Sequence, residues 1–324
     1  MPGSNRLSLV IQPAESHFIC QEYSPDGVLA NLGNPQVIFG QTPPRDQSGG
    51  ALAAVHLGSR TYYTCRSNEG DNTVMLGSIG DSGGIFSPLS TGLGIIGDPF
   101  PSAPGIATLG GRLYLFYRPW YQGQGKGSTW CVPVTITDSE GHFTLGSPVA
   151  VDGYNAGGGR ISAVTAGGNL CCTWVDPYNE NAYGDLQFSF SSDGTTWHSV
   201  VCYYDPGFKN AVQGSGSLLV LPDSTLVLGW RDGRNSALTY SVFTFESSTA
   251  GYWGPAQTVP GVTLLDEPSW MTSTDGTSVV VACRSGSNVQ AYRLSPALNA
   301  VIESRLITNL SVGSSPTVFF HPDL

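Results

Sequence analysis

Four arginines recur along the chain, each at the end of a short apolar stretch. They are Arg66, Arg118, Arg231 and Arg284, and the residues before them read YYTC, LFY, LGW and VAC. A guanidinium group carries a planar fork of hydrogen-bond donors that suits hydroxyl and carboxylate groups. Other polar and aromatic residues follow these arginines closely in the sequence. Together they could bind a polar ligand that also has an apolar face.

The arginine positions belong to a repeat. Two further apolar stretches, ending before Gln21 and Val175, complete a series whose members are 45, 52, 57, 56 and 53 residues apart. Five of the six stretches follow another short apolar run and a tight turn, which is the pattern of a β-hairpin. Four are followed, roughly 20 to 25 residues later, by a turn with glycine and an aromatic residue. Two markers with the same period indicate a repeat architecture.

Four strands in a unit of about 54 residues, repeated six times, predict an all-β fold. The expected architecture is a six-bladed β-propeller of four-stranded antiparallel blades, forming a single domain. The approximate blades are residues 1–48, 49–102, 103–156, 157–212, 213–264 and 265–324. Residues 315–323 resemble one more innermost strand, which could join the N-terminal blade and close the ring. Residues 9–11 compete for that innermost place, and the sequence leaves the choice open.

The composition excludes several classes of protein. The chain has 42 glycines, 22 prolines and 38 charged residues (14 basic and 24 acidic) among its 324 residues, which argues against long surface helices. Its formal charge of −10, without a run of Lys or Arg, argues against nucleic acid as a partner. No apolar stretch is long enough for membrane insertion. The N-terminus lacks a signal-peptide core, so we expect a cytoplasmic protein, with non-classical release left open.

The cysteines and histidines predict neither a metal site nor a bound cofactor. Seven cysteines occur without CxxC spacing, and five histidines are scattered along the chain. Cys20, Cys65 and Cys283 stand at the repeat position that Trp174 and Trp230 occupy in other units. We therefore interpret the position as a packing position and expect free, buried thiols.

One turn resembles a known structural motif. Residues 191–197, SSDGTTW, resemble the short form of the Asp-box, which lies between the third and fourth strands of blades in sialidase-like propellers. In that family the aspartate binds turn amides and the tryptophan packs in the blade. By its size and repeated strands the chain also resembles the six-bladed propeller lectins of fungi and some bacteria. The resemblance implies carbohydrate binding.

The repeat predicts where a ligand would bind. In a four-stranded blade, the end of the second strand and the loop leading into the first lie on the same rim of the propeller. The candidate ligand-binding residues on this rim are Arg66, Arg118, Trp120, Tyr121, Trp174, Arg231, Asp232, Glu267, Trp270 and Arg284. Repetition favours several equivalent glycan sites between blades, because multivalent binding offsets weak single sites. The main hypothesis is a non-catalytic lectin whose partners are glycans or glycoproteins; homo-oligomerisation is left open.

Three other interpretations compete with it. An arginine at the end of a buried strand can instead bind loop carbonyls or a neighbouring aspartate. A glycoside hydrolase needs two carboxylates about 5 to 9.5 Å apart. The candidates for such a pair are Asp98, Asp176, Asp232, Asp266 and Glu267, although no sialidase Arg-Ile-Pro motif stands near the N-terminus, where residues 35–40 read PQVIFG. A propeller that binds other proteins is the third alternative, and no catalytic residue is assigned.

Overall fold

The computed structural model describes residues 6–11, 19–23, 36–37, 52–66, 73–80, 85–94, 102–119, 128–138, 142–151, 159–176, 185–201, 212–273, 275–308 and 316–321. The regular structure in these ranges is β-strand. Within them no helix is long and apolar enough to cross a membrane.

The described residues form 28 strands. They are β1 (Arg6–Ile11), β2 (Ile19–Tyr23), β3 (Gln36–Val37), β4 (Ala53–Leu57), β5 (Arg60–Arg66), β6 (Thr73–Gly80), β7 (Ile85–Gly94), β8 (Ser102–Ala103), β9 (Gly105–Leu109), β10 (Arg112–Tyr117), β11 (Trp130–Ile136), β12 (Phe143–Leu145), β13 (Val149–Ala150), β14 (Gly159–Arg160), β15 (Ser162–Ala166), β16 (Asn169–Asp176), β17 (Asp185–Ser191), β18 (His198–Val201), β19 (Val212–Val220), β20 (Leu226–Asp232), β21 (Ala237–Phe245), β22 (Gly251–Trp253), β23 (Gln257–Thr263), β24 (Ser269–Thr272), β25 (Val279–Ser285), β26 (Asn288–Leu294), β27 (Val301–Ile307) and β28 (Thr317–His321).

Five sheets consist of consecutive antiparallel strands and form the blades of a β-propeller. Blade A contains β4 to β7, and blade B contains β9 to β12 with β13 beside β11. Blade C contains β15 to β18, blade D contains β19 to β22 with β23 beside β21, and blade E contains β24 to β27. Tight turns join consecutive strands of a blade. Apolar residues on both faces of each sheet are buried against the neighbouring sheets.

A further sheet joins the two ends of the chain, in the order β28-β1-β2-β3. Val318 of β28 pairs with Leu9 of β1 in antiparallel register. The sequence left open which terminal strand takes the innermost place, and the structure gives it to β28. Six blades were expected, the first of them from residues 1–48; the structure has five blades of consecutive strands, and this sheet is a composite of both termini.

The innermost strands β4, β9, β15, β19, β24 and β28 contact one another in a ring. Hydroxyl groups join them: Thr272 Oγ1 donates to the Val220 carbonyl at 2.6 Å, and Ser162 Oγ accepts from the Leu218 amide at 2.9 Å. The Thr317 hydroxyl of β28 donates to the Leu52 carbonyl. These bonds satisfy groups of adjacent sheets that no strand pairing covers. The ring surrounds a central cavity of about 330 Å³.

Apolar clusters fill the spaces between blades. Phe188 of blade C lies 4.7 Å from the Phe243 ring of blade D, measured between ring centroids. Cys65 and Cys283 are buried free thiols, as are the other cysteines whose side chains the structure describes, which confirms the packing interpretation for them. Burial raises the pKa of Cys283, which keeps this thiol protonated and unreactive.

The turn after β17 ties blade C to blade B. Asp193 Oδ1 accepts hydrogen bonds from the amides of Thr195 and Thr196, both at 2.7 Å. Gly194 has a positive φ of 74°, and a Cβ there would lie 2.5 Å from the Tyr114 ring of blade B. The Trp197 ring meets Phe116 of blade B edge-on at 5.7 Å between centroids. The turn is therefore structural, as the sequence analysis expected.

Candidate functional site: the cleft between blades D and E

The four repeated arginines stand at equivalent places in their blades. Arg66 ends β5, Arg118 directly follows β10, and Arg231 and Arg284 stand near the ends of β20 and β25. We call the face on which these second strands end the arginine rim. Arg118 is fully buried, with no exposed surface. Arg66 and Arg231 are partly buried, while 42% of the Arg284 side chain is exposed. Arg118 therefore cannot contact a ligand in this structure, and the expectation that it binds one is wrong.

Two aromatic candidates are also buried and do not offer a ring face to a ligand. Trp174 is 1% exposed and lies in the apolar cluster between blades B and C. Trp270 is 5% exposed, and its Nε1 donates to the Ser217 carbonyl at 2.9 Å. Its ring covers Gly229 of blade D so closely that a Cβ there would lie 2.3 Å from it. Both tryptophans are core residues; Trp120 and Tyr121 lie outside the described residues.

The loop leading into blade E approaches the end of β20. The Leu264 amide donates to the Ser236 carbonyl at 2.7 Å, which holds residues 264–268 against the turn after β20. Arg231 Nη2 donates to the Ser236 hydroxyl at 3.1 Å in the same turn. Arg284 Nε donates to Asp266 Oδ2 at 2.7 Å. These contacts place Arg231, Asp266 and Arg284 at the junction of blades D and E, which we call the D/E cleft.

Asp232 holds a second arginine at the edge of the D/E cleft. Its carboxylate accepts from Arg234 Nη2 at 2.8 Å, from Arg234 Nε at 3.1 Å and from the Arg234 amide at 2.8 Å. Burial raises the pKa of Asp232, but the hydrogen bonds and charge of Arg234 outweigh it and leave the pKa below its ordinary value. The Arg234 side chain is 56% exposed. Asp232 thus positions a donor, whereas the sequence analysis expected it to bind the ligand itself.

Glu267 lies deeper, where blade D meets blade E. Its Oε1 accepts from the Ser215 amide at 2.6 Å. The approach requires glycine at position 214, because φ there is 76° and a Cβ would lie 2.6 Å from Glu267 Cγ. Burial raises the pKa of Glu267, and the charge of Asp266 acts in the same direction, whereas the Ser215 hydrogen bond and the charge of Arg160 lower it. The net pKa is above the ordinary value of a glutamate.

The D/E cleft can bind a polar, uncharged or weakly acidic ligand. Arg234 and Arg284 present guanidinium groups that carboxylates hold in place, and Leu265, in the loop leading into blade E, is an apolar residue that is 56% exposed. Arg231 Nε is buried without a hydrogen-bond partner among the described residues. In the same residues no three His, Cys, Asp or Glu side chains come together as metal ligands. Arg234 and Asp266 both lie outside the second strands of the repeat, and the sequence analysis named Asp266 as a candidate carboxylate.

No protein-family model and no curated protein matches the chain. Solved structures do. A fungal lectin from Aleuria aurantia, reported as a six-bladed β-propeller with a novel mode of fucose recognition, is 13% identical, with 96% of this chain and 97% of the lectin covered and a TM-score of 0.58. An α-L-arabinofuranosidase of Fusarium graminearum in complex with arabinobiose is 14% identical over 84% of this chain and 85% of the enzyme, with a TM-score of 0.59. TolB from Acinetobacter baumannii is 11% identical over 98% of this chain and 67% of TolB, with a TM-score of 0.55. Lectins, glycosidases and other proteins thus share the architecture seen here, and the chain is a β-propeller.

Proposed function

We propose that the protein is a carbohydrate-binding propeller, a lectin without catalytic activity. The observation that carries the proposal is the pair of exposed arginines in the D/E cleft, each fixed by a carboxylate: Arg284 by Asp266 and Arg234 by Asp232. A sugar presents neighbouring hydroxyl groups, and fixed guanidinium donors meet two of them without losing much conformational entropy. The ligands would be glycans or glycoproteins.

Repetition supports several sites on the same rim. Arg66 of blade A stands at the position of Arg231 and Arg284 and is partly exposed like Arg231. We propose that the composite terminal sheet serves as a sixth blade, so that clefts follow one another around the whole ring. Weak sites in several clefts would bind a branched glycan or glycoprotein by avidity. The Asp193 turn supports a sialidase-like origin of the blades, and a cytoplasmic location is part of the same proposal.

A glycan array followed by titration of the best ligand tests the proposed function. We expect the wild-type protein to bind at least one glycan class. The double variant Arg234→Met and Arg284→Met should bind it at least about ten times more weakly, which corresponds to a loss of about 1.4 kcal/mol of binding free energy. Arg112→Met is the matched control, since Arg112 is an exposed arginine at the hairpin turn between β9 and β10, on the opposite face.

Two results would contradict the lectin proposal. One is a folded double variant that binds glycans as the wild type does, because the site would then lie elsewhere. The other is the absence of glycan binding together with a stable protein partner in a pull-down, which would favour a protein-interaction propeller. Circular dichroism and thermal unfolding of each variant establish that it is folded before binding is compared.

One observation favours glycoside hydrolysis as a second candidate function. Glu267 has a raised pKa and lies next to Asp266, and a hydrolase needs a carboxylic acid that is still protonated near neutral pH beside a second carboxylate. Asp266 is bound to Arg284, however, and Glu267 to the Ser215 amide, so both carboxylates already hold parts of the scaffold together. Turnover of chromogenic arabinosides or sialosides that is lost in Glu267→Gln would establish the enzyme instead.

A further inference from the structure

The outermost strand of blade E carries exposed apolar side chains at an edge of its sheet. β27 pairs with β26 on one side, and no strand pairs with its other edge among the described residues. Such an edge presents backbone N–H and C=O groups that another strand can bind. The described residues include four exposed large apolar side chains, and two of them, Ile302 (50% exposed) and Leu306 (46%), lie on β27. The strand therefore offers both backbone groups and apolar surface to a partner.

Blade D packs against the start of β27 and leaves the middle of the strand accessible. A Cβ at Gly261 of β23 would lie 3.5 Å from Val301 Cγ2. Beyond this contact, Ile302 is the extra residue of a β-bulge and has no register partner on β26. Residues 304–306 are exposed as well. The accessible part of the edge is thus the segment from Ile302 to Leu306.

This segment is complementary to itself when a second copy runs in the opposite direction. Residues 302–306 read IESRL. In an antiparallel pair centred on Ser304, Ile302 stands opposite Leu306 of the second copy, and Glu303 stands opposite its Arg305. Apolar pairs and pairs of opposite charge at directly opposed positions stabilise a sheet. A two-fold axis repeats each pair, as in the isologous interfaces of most dimers.

The charges of the segment suit this register. The Glu303 side chain is 15% exposed, and its Oε2 lies 3.9 Å from Arg293 Nε of β26, which is too long for a hydrogen bond. Arg305 is exposed. In the antiparallel register, Arg305 of the second copy brings a further positive charge next to the Glu303 carboxylate. A shift of the register by two residues would remove both the opposite-charge pair and the apolar pair.

We propose that β27 joins two copies of the protein into a symmetric dimer, through antiparallel pairing of residues 302–306 about Ser304. One strand edge is a small interface, so we expect a reversible dimer with a micromolar Kd. The dimer carries two arginine rims. Its benefit for avid glycan binding rests on the proposed function, whereas the pairing itself does not.

A charge-swap experiment tests the dimer and its register. One variant combines Ile302→Lys with Leu306→Lys, and the other combines Ile302→Glu with Leu306→Glu. Each alone should self-associate at least about tenfold more weakly than the wild type, because like charges would stand opposite each other at two places. An equimolar mixture should associate at least about tenfold more tightly than either variant alone, since every lysine would then face a glutamate. Sedimentation velocity over a hundredfold range of concentration measures each association.

Tyr252→Lys is the matched control, because Tyr252 is a 51% exposed apolar residue on β22 of blade D. It should dimerise as the wild type does. Arg305→Glu is a second, independent variant that changes another exposed residue of β27. It should weaken the dimer at least about threefold, because two glutamates would then be opposed. Circular dichroism establishes that each variant is folded.

Three results would overturn the proposal. The first is a wild-type protein that stays monomeric at every concentration. The second is a dimer that the lysine variant, the glutamate variant and Arg305→Glu all leave unchanged, because the interface would then lie elsewhere. The third is a mixture of the two charge variants that does not associate. All of these measurements are made without glycan, so a dimer that binds no glycan would contradict the lectin proposal and leave this one intact.

Discussion

Blades B and E carry an arginine at the same place in the repeat, yet the two side chains lie in different environments. Arg118 directly follows β10 and has no exposed surface. Arg284, near the end of β25, is 42% exposed on its side chain and bound to Asp266 in the loop leading into its own blade. The repeat fixes where the backbone places the arginine, and neighbouring loops decide whether the guanidinium reaches solvent. Repetition alone is therefore a poor guide to ligand-binding residues.

A buried and an exposed arginine contribute differently to stability and to binding. A buried arginine is part of the scaffold, because removing it leaves the groups around it without a partner. An exposed arginine in a surface ion pair adds little to stability, because water and salt screen the pair. Such an arginine can bind a ligand, because a donor that is already held in place loses little conformational entropy on binding. The same substitution should therefore lower stability much more at Arg118 than at Arg284.

Arg118→Met should have the largest effect on stability. We expect it to lower the free energy of unfolding by about 3 kcal/mol, because the shorter methionine leaves a cavity at a fully buried position. Arg284→Met should lower it by less than about 1 kcal/mol. Urea unfolding of the two variants and the wild type, followed by tryptophan fluorescence, measures the difference. Equal losses in both variants would contradict the distinction between a scaffold arginine and a binding arginine.

Gly229→Ala should have the next largest effect. It tests how closely blades D and E approach each other below the D/E cleft. The new Cβ would lie 2.3 Å from the Trp270 ring, which packs against it from blade E. Overpacking of this kind costs about 1 to 3 kcal/mol, so we expect a loss of about 2 kcal/mol in urea unfolding. Gly94→Ala is the matched control, since no atom lies within 4 Å of a Cβ at that strand position. A loss no larger than that of the control would show that the two blades are not in this close contact.

Asp266→Asn sharpens the comparison by releasing Arg284 without removing it. Stability should change by less than about 1 kcal/mol, because the ion pair is partly exposed. Glycan affinity should fall roughly threefold to tenfold, since a donor that is no longer held must be ordered on binding. Isothermal titration of the best glycan measures the affinity. If Asp266→Asn binds as tightly as the wild type, the fixed orientation of Arg284 is unimportant and the site must be sought elsewhere.

Glu267→Gln should have the smallest effect, and it should depend on pH. The folded-state pKa of Glu267 is raised, so the folded state holds its proton more tightly than the unfolded state. The stability associated with that proton is present below the ordinary glutamate pKa and is lost as pH rises through the folded pKa. Relative to Glu267→Gln, the wild type should therefore lose Tm as pH rises above about 4.5. A Tm difference that is constant from pH 3 to pH 8 would contradict the raised pKa.

Much of the fold could be predicted because each blade repeats the same sequence pattern of apolar strands and turns. Apolar stretches with hairpin turns recur at a nearly constant spacing, and strand residues such as Cys65 and Cys283 are buried as their shared repeat position predicts. The structural role of the Asp193 turn was also readable, because an aspartate two and three residues before amide donors makes local hydrogen bonds. These features depend on residues that are close together in the chain.

The site was less predictable because its contacts join distant parts of the chain. Trp270 was expected on the surface, but blade D covers its ring and Ser217 accepts its N–H group. Asp232 was expected to bind a ligand, but its carboxylate is occupied by Arg234. Sequence spacing indicates which rim a residue is near, and it does not indicate whether a neighbouring blade covers the side chain.

The strands, their period and the rim on which the arginines stand could be predicted from the sequence, because hydrophobic alternation and turn residues act over a few residues. Three features depend on long-range contacts and could not be predicted: β28 takes the innermost place of the composite sheet, Arg118 is buried while Arg284 is partly exposed, and Arg160 is buried. The physical reason is that burial and pairing depend on which surfaces meet when the ring closes. Residues far apart in sequence, such as Thr317 and Leu52, come into contact only in the closed ring.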